Sequence, residues 1–206
     1  MQDASSLGAD LASIGAALRR ERLERGLTLD DVAERAGLSP GYLSRVERGR
    51  VSTLSTLIKL SDAMGVPLQS IFSGFRAQPL REGYLLRRGT DPGALSGGAY
   101  RYRPVAGGLP EHSLWLFELD YPPFSADEFD AYAHDGEEIL YVTEGEIEFS
   151  IGGDRLVLGV GDCVQYDARQ PHGGGNRTAS PASVLMAFTG RSDPHPGMRA
   201  RTDDRR

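Results

Sequence analysis

The stretch "AYAHDGEEILYVTEGE", residues 131–146, contains side chains that could bind a metal ion. His134 stands four residues before Glu138, and an imidazole and a carboxylate together are common ligands of iron, manganese and zinc. Tyr132 occupies the place where a second histidine could stand, two residues before His134. A phenol binds a metal only as phenolate, and its ordinary pKa of about 10 makes that form costly near neutral pH. These residues alone leave a metal site and a metal-free polar pocket both open.

Short strands are expected to carry these side chains, because the surrounding pattern alternates between apolar and polar residues. In "GEIEFSIGGDRLVLG", Ile147, Phe149 and Ile151 alternate with polar residues before a Gly-Gly-Asp turn. Successive side chains of a strand point to opposite faces, so Tyr132 and His134 should face the same way. Many such strands between glycine and proline turns predict an all-β sandwich or barrel in the second half of the chain.

The first third of the chain has a helical period instead, in short segments that end at glycines. Five short helices are predicted between residues 14 and 72, with stops such as Gly26 and Gly37. Thr28 and Asp31 have the spacing of a capping box, which predicts a helix start. The chain is therefore predicted to be an α + β protein of two domains, the first all-α and the second all-β.

The change of period sets the predicted domain boundaries. Residues 1–10 and 191–206 are predicted to be disordered tails. The helical domain is expected at residues 11–73, a linker at residues 74–83 and the β domain at residues 84–190.

Composition limits where the protein works and what it binds. The chain has 206 residues and one cysteine, Cys163, which excludes an internal disulfide framework and suits a reducing cytoplasm. The sequence has no apolar run of about 18 residues and no secretory signal, so we expect a cytoplasmic protein with no membrane partner. The net charge is −6, yet residues 1–75 carry nine basic and nine acidic residues. A DNA partner therefore requires the basic residues to lie on one face.

The helical segments carry a specific motif. The stretch "LTLDDVAERAGLSPGYLSRVERG" resembles the helix-turn-helix of lambda-repressor-like (XRE-family) DNA-binding domains, and the resemblance covers residues 14–72. It implies a five-helix domain in which the second helix of the motif lies in the major groove of double-stranded operator DNA.

That resemblance also implies which residues face the DNA. Arg45 is the candidate base contact, because a guanidinium can bond guanine O6 and N7 together. Arg22 and Glu47 occupy positions that the family commonly pairs as a salt bridge, so they are expected to be structural. The candidate DNA contacts are Ser39, Gly41, Tyr42, Ser44, Arg45, Arg48 and Arg50. Of these, Ser39, Tyr42, Arg48 and Arg50 are better placed for phosphates.

Two polar motifs of the second half resemble those of cupins. "HDGEEILYVTEG" followed by "GDCVQYDARQPHGGGN" has both motifs at the spacing of that family, over roughly residues 84–189. The resemblance implies a cupin (double-stranded β-helix) barrel with His134, Glu138 and His172 at metal-ligand positions and Tyr132 in place of a histidine. Two histidines and a carboxylate can still hold a divalent metal such as Zn, Fe, Mn or Ni. The favoured alternative is a metal-free pocket of the same four residues that binds a small polar effector.

The two resemblances together predict a one-component transcriptional regulator, a homodimer held by its cupin barrel, in which effector binding modulates operator binding. Two alternatives stay open. One is a metal-dependent cupin enzyme of the dioxygenase or isomerase type with an appended helix-turn-helix, and the other is a ligand-free cupin that serves only for dimerisation. The missing histidine and the DNA-binding motif argue against an enzyme, and the sequence shows no Ser/His/Asp or Cys/His nucleophile set. We therefore expect no catalytic activity.

Overall fold

The computed structural model describes residues 4–50, 53–72, 84, 86, 95–96, 100–107, 114–125 and 131–189. Its N-terminal part is helical and its C-terminal part is built of strands, as the change in sequence period predicts. The helices are α1 (Ala4–Glu24), α2 (Leu29–Ala36), α3 (Pro40–Glu47), α4 (Leu54–Met64) and α5 (Leu68–Ile71). None of the described helices combines the length and the apolar character needed to cross a membrane.

The helical region differs from the prediction at both of its ends. α5 has only four residues, so four helices of substantial length are present rather than five. It follows Pro67 without a side-chain cap, and a single turn gains too little from backbone hydrogen bonds to extend itself. At the other end α1 begins at Ala4, so the prediction of a disordered tail over residues 1–10 is wrong for residues 4–10. That stretch contains no proline, and it contains two alanines and a leucine, which are good helix formers, so the helix continues through it.

The remaining predicted boundary segments lie outside the described residues. These are residues 1–3, the linker at residues 74–83 and the tail at residues 191–206. The last described residue of the helical region is Phe72.

Both ends of α2 and the start of α3 have caps that the sequence predicts. Thr28 and Asp31 form the expected capping box, in which the Thr28 backbone N–H donates to Asp31 Oδ2 at 2.7 Å. Gly37 ends α2 with a φ of 65°, a conformation that glycine adopts without strain. Ser39 caps α3, since its hydroxyl accepts a hydrogen bond from the Tyr42 backbone N–H at 3.2 Å. These caps set the direction in which α3 leaves the turn.

A buried salt bridge ties α1 to α3. Nε and Nη2 of Arg22 donate to the two carboxylate oxygens of Glu47 at 2.6 and 2.9 Å, and the exposed fractions of the two side chains are 9% and 7%. The hydrogen bond to Glu47 raises the pKa of Arg22 above its ordinary value. The pair is bidentate, which satisfies both charges away from water. It is the structural pair that the family resemblance implies.

The C-terminal part consists of antiparallel strands. They are β1 (Leu95–Ser96), β2 (Arg101–Ala106), β3 (Leu114–Tyr121), β4 (Glu137–Glu144), β5 (Glu146–Ile151), β6 (Asp154–Gly159), β7 (Cys163–Asp167), β8 (His172–Gly175) and β9 (Ala182–Thr189). Within the described part of the chain they form a six-stranded sheet in the order β1-β2-β3-β9-β4-β7 and a three-stranded sheet in the order β6-β5-β8. Buried residues alternate along β3, β4 and β9, so one face of the larger sheet is apolar and turns toward the core.

The helical and β regions share one hydrophobic core. The ring of Phe72, just after α5, has its centroid 5.6 Å from that of Trp115 and 5.5 Å from that of Phe117, both on β3. Phe117 in turn stacks on Phe188 of β9 at a centroid distance of 5.8 Å. The helical region therefore packs against the β region, and this contact brings α3 and α4 close to the sheets.

Candidate functional site

Three buried polar side chains come together inside the β region. Glu138 on β4 is fully buried, His134 lies just before that strand, and His172 begins β8. His134 Nε2 lies 2.8 Å from Glu138 Oε1, and His172 Nε2 lies 3.4 Å from Glu138 Oε2. One ligand atom from each residue lies within 4.8 Å of the others. The structure thus brings the three candidate metal ligands into one cluster.

A short antiparallel bridge places Tyr132 beside this cluster. The backbone N–H of Tyr132 donates to the carbonyl of His172, and the N–H of His172 donates to the carbonyl of Tyr132, both at 2.9 Å. The Tyr132 ring stacks on His134 at a centroid distance of 5.8 Å and tilts against His172 at 4.3 Å. Tyr132 and His134 therefore face the same way, as strand alternation predicts.

Backbone carbonyls orient both imidazoles. His134 Nδ1 lies 3.0 Å from the carbonyl of Asp135, and His172 Nδ1 lies 2.7 Å from the carbonyl of Gln170, so each Nδ1–H donates to a carbonyl. This leaves Nε2 of each ring toward Glu138, the orientation typical of metal-binding histidines. Among the described residues, His172 Nε2 has no hydrogen-bond partner, although Glu138 is near it.

The two histidines differ in how strongly Glu138 acts on them. Burial lowers the pKa of His134, but the hydrogen bond to Glu138 and its charge outweigh burial and raise the pKa above its ordinary value. Burial lowers the pKa of His172, and the charge of Glu138 does not compensate. The raised pKa favours the charged form of the His134 imidazole, and the lowered pKa favours the neutral form of the His172 imidazole.

Sequence reasoning missed Tyr166, which completes the cluster. β7 pairs with β4 so that Tyr166 lies opposite Glu138, and the Tyr166 hydroxyl donates to Glu138 Oε2. Burial raises the pKa of Tyr166 and that of Tyr132 well above the ordinary value of a phenol. Both shifts favour the neutral phenol over the phenolate that a metal would require. The alternation in "CVQYD" could have predicted that Tyr166 faces inward. Its contact with Glu138 could not have been predicted in this way, because it depends on the register of β7 against β4.

The candidate DNA contacts all lie on α3 or within three residues of it, and none of them is buried. Arg48 Nη1 donates to Ser44 Oγ at 2.8 Å, which holds these two side chains together along the helix. The guanidinium of Arg45 lies 5.6 Å from the centroid of the Tyr42 ring. Arg45 is exposed and forms no ion pair with any described residue, so its donors are free for a partner.

A cavity of about 630 Å³ lies between the helical region and the β region. Tyr132 and Tyr166 line it on the β side, and Arg45 and Lys59 line it on the helical side. The cluster of His134, Glu138 and His172 is not part of the lining. It contacts the two lining tyrosines, since Tyr132 packs against His172 and Tyr166 donates to Glu138. Of the four residues predicted to form an effector pocket, Tyr132 lines the cavity and the other three do not. The Tyr132 ring contacts His134 and His172.

Comparisons with known proteins agree with the two parts of the chain. The Helix-turn-helix family matches residues 18–71, and the Cupin domain family matches residues 120–188. The HTH-type transcriptional regulator PuuR of Escherichia coli (strain K12) is 29% identical over 177 residues, which make up 85% of this chain and 94% of PuuR. The uncharacterized HTH-type transcriptional regulator y4dJ of Sinorhizobium fredii is 46% identical over 54 residues, 26% of this chain and 70% of that protein. The chain belongs to the HTH-type transcriptional regulators.

A solved structure has the same arrangement as this HTH-type regulator. The crystal structure of an HTH_3 family transcriptional regulator from Vibrio cholerae is 20% identical and has a TM-score of 0.65, covering 89% of this chain and 98% of that one. At this identity the likeness shows the fold alone. The predicted regulator with a helix-turn-helix domain and a cupin domain is confirmed, and the relatives named above are transcriptional regulators rather than enzymes.

Proposed function

We propose that this HTH-type regulator is a one-component sensor, in which the cupin domain binds a small polar effector and thereby changes the affinity of the helical domain for operator DNA. The observation that carries the proposal is the cavity that the β region shares with α3, because a molecule bound there lies against the DNA-binding motif. A ligand shifts a conformational equilibrium only by its difference in affinity for the two states. In this proposal the helical domain begins with α1, and the two sheets close into a cupin barrel that has no catalytic role.

α3 is the recognition helix in this proposal and lies in the major groove. Arg45 hydrogen-bonds a base edge, and its exposure and lack of an ion pair with described residues support that role. Tyr42, Arg48 and Arg50 contact phosphates. Arg48 would then exchange its hydrogen bond with Ser44 for one with a phosphate oxygen.

The cluster of His134, Glu138 and His172 could also hold a divalent metal. The donor set fits, since three buried ligand atoms lie within 4.8 Å of one another and His172 Nε2 lacks a hydrogen-bond partner among the described residues. A bound Zn, Fe, Mn or Ni ion would supply a Lewis acid at this position. Tyr166 and His134 already hydrogen-bond Glu138, so these residues also form a well-paired pocket floor on their own.

A homodimer held by the outer face of the six-stranded sheet completes the proposal. Ile139 and Tyr141 on β4 are 38% and 42% exposed, on the face that points away from the core. Leu185 of β9 lies opposite Tyr141 and extends this apolar surface across the sheet. Two copies of α3 are needed because a single helix-turn-helix covers only one operator half-site.

Substitutions on β4 test the sensing role. Small molecules released from purified protein are identified by mass spectrometry and added to the protein on a selected operator, with fluorescence anisotropy as the readout. Glu138→Ala removes the acceptor that fixes His134 and Tyr166, so the ligand-induced change in operator affinity should disappear. Glu137→Ala is the matched control, because Glu137 is exposed and bonds Gln165 at 2.7 Å on the other face. A Glu138→Ala protein that responds like wild type contradicts the proposal.

A further inference from the structure

The cavity between the two domains is aromatic on one side and cationic on the other. Its β wall includes Tyr121, Tyr132 and Tyr166, and its helical wall includes Arg45 and Lys59. None of the described residues that line it is an aspartate or a glutamate. A ligand in this cavity therefore meets two positive charges, and the described part of its wall contains no carboxylate.

Among the residues that the structure describes, neither Arg45 nor Lys59 forms an ion pair. The Lys59 ammonium lies 6.0 Å from the centroid of the Tyr132 ring, so it points toward the β wall. Lys59 also borders a second opening, which Asp62 and Asp135 line as well. The guanidinium of Arg45 lies 5.6 Å from the centroid of the Tyr42 ring. Unpaired cations that face one cavity favour an anionic occupant.

The cluster of His134, Glu138 and His172 does not offer a site for a cationic ligand. Glu138 Oε1 is bonded to His134 Nε2 at 2.8 Å, and Glu138 Oε2 accepts the hydrogen bond of the Tyr166 hydroxyl. Both oxygens of Glu138 are thus occupied by donors from the protein. A cationic ligand would meet Arg45 and Lys59 without finding a free carboxylate.

We propose that the cavity binds an organic anion, with its acidic group between Arg45 and Lys59 and its apolar or aromatic body against the tyrosines of the β wall. This assignment rests on the proposed sensing function and names the charge of the effector. The effector site is then formed by both domains, and the helical domain supplies the residues that recognise the acidic group.

The same geometry sets the direction of the response. Arg45 cannot bond a carboxylate in the cavity and a base in the major groove at the same time. The anion and the operator therefore compete for Arg45, and binding of the anion weakens binding of the operator. A coupling of this kind commonly changes an affinity by about 5- to 150-fold.

Three probes of one skeleton test the charge of the ligand on the full-length protein. They are 4-hydroxyphenylacetate, its neutral amide and the cationic amine tyramine, each titrated by calorimetry. We expect the carboxylate to bind about tenfold more tightly than the amide, because its hydrogen bonds to two cations are charge-assisted. Equal or tighter binding of the amide or of tyramine overturns the assignment, and so does the failure of all three to bind. If tyramine binds best and still changes operator affinity, the sensing function stands and only the anion assignment fails.

Lys59→Met locates the acidic group within the cavity. The substitution keeps the length and the apolar stem of the side chain but removes the charge, so the preference for the carboxylate over the amide should fall to about twofold. Arg19→Met is the matched control, because Arg19 is an exposed cation on α1 that does not line the cavity. An unchanged preference in Lys59→Met, or an equal loss in Arg19→Met, overturns the proposed position. Operator release by the carboxylate in wild type that is lost in Lys59→Met supports competition through this site.

Discussion

Tyr132 occupies the motif position where cupins carry a histidine, and its surroundings determine what it can do there. Its ring contacts both His134 and His172, and burial raises its pKa well above the ordinary value. Tyr132 therefore contributes an aromatic ring to the cavity wall, and its raised pKa favours the neutral phenol. The residue types predicted a polar pocket with an incomplete ligand set, and the contacts of Tyr132 are consistent with that prediction.

Tyr132→His should raise the affinity of the cluster for zinc. The new imidazole would stand beside His134, Glu138 and His172 and could act as a fourth ligand, which tetrahedral zinc sites require. We expect an increase of at least about tenfold, measured by competition with a coloured chelator and by metal content after dialysis. Tyr132→Phe, which keeps the ring and adds no ligand, is the control. Equal zinc affinity in the two variants would show that position 132 does not reach the metal.

At the scale of elements, α3 is where operator recognition can be tested. Arg45→Ala should cost about 1–3 kcal/mol of affinity on the selected operator and relax sequence preference, because a base contact carries sequence information. Arg50→Ala should weaken binding to operator and to random DNA alike, because a phosphate contact does not. Anisotropy titrations of both variants on both DNAs separate the two roles. Unchanged operator affinity in Arg45→Ala would exclude it as the base contact.

Local sequence signals predicted where helices begin and end better than they predicted which distant residues come into contact. The capping box of Thr28 and Asp31 and the stop at Gly37 depend on neighbours in sequence, and the structure has each of them where expected. The start of α1 was misplaced because a short stretch of small and polar residues has the same composition in a tail and in a helix. The bond between Tyr166 and Glu138 joins residues 28 apart in sequence, and it depends on the register of β7 against β4. The alternation of apolar and polar residues in one strand predicts which side chains point inward, but it does not predict which strand pairs with it or in which register.

At the scale of the whole molecule, the cavity is a product of how the two domains dock. Each motif was identified within its own domain, so sequence analysis assigned Arg45 to DNA and Tyr132 to the effector. The contact of Phe72 with Trp115 and Phe117 holds the domains together and places both residues on one cavity. Such docking depends on how well the surfaces of distant segments fit together. Composition and periodicity do not predict that fit. In the proposed sensor, this docking gives a direct route by which a molecule bound in the cavity can act on α3.

The assembly of two such chains gives the last prediction. The apolar side chains of Ile139 and Tyr141 are exposed on the outer face of the larger sheet, where a second copy can cover them. Light scattering of the wild type should therefore give the mass of two chains, and Tyr141→Asp should give the mass of one. Because a monomer engages a single half-site, its operator affinity should fall by at least about tenfold.

Val157→Asp is the control for that substitution. Val157 is an apolar side chain that is 65% exposed on β6 of the smaller sheet, so the substitution places the same charge at a more exposed position that we assign no partner. This variant should remain dimeric and bind the operator like wild type. A wild-type monomer at micromolar concentration, or a dimeric Tyr141→Asp with full operator affinity, would place the dimer interface elsewhere. Loss of the dimer in both variants would point to general destabilisation of the sheets, and a thermal unfolding scan of each protein distinguishes that outcome from loss of a specific interface.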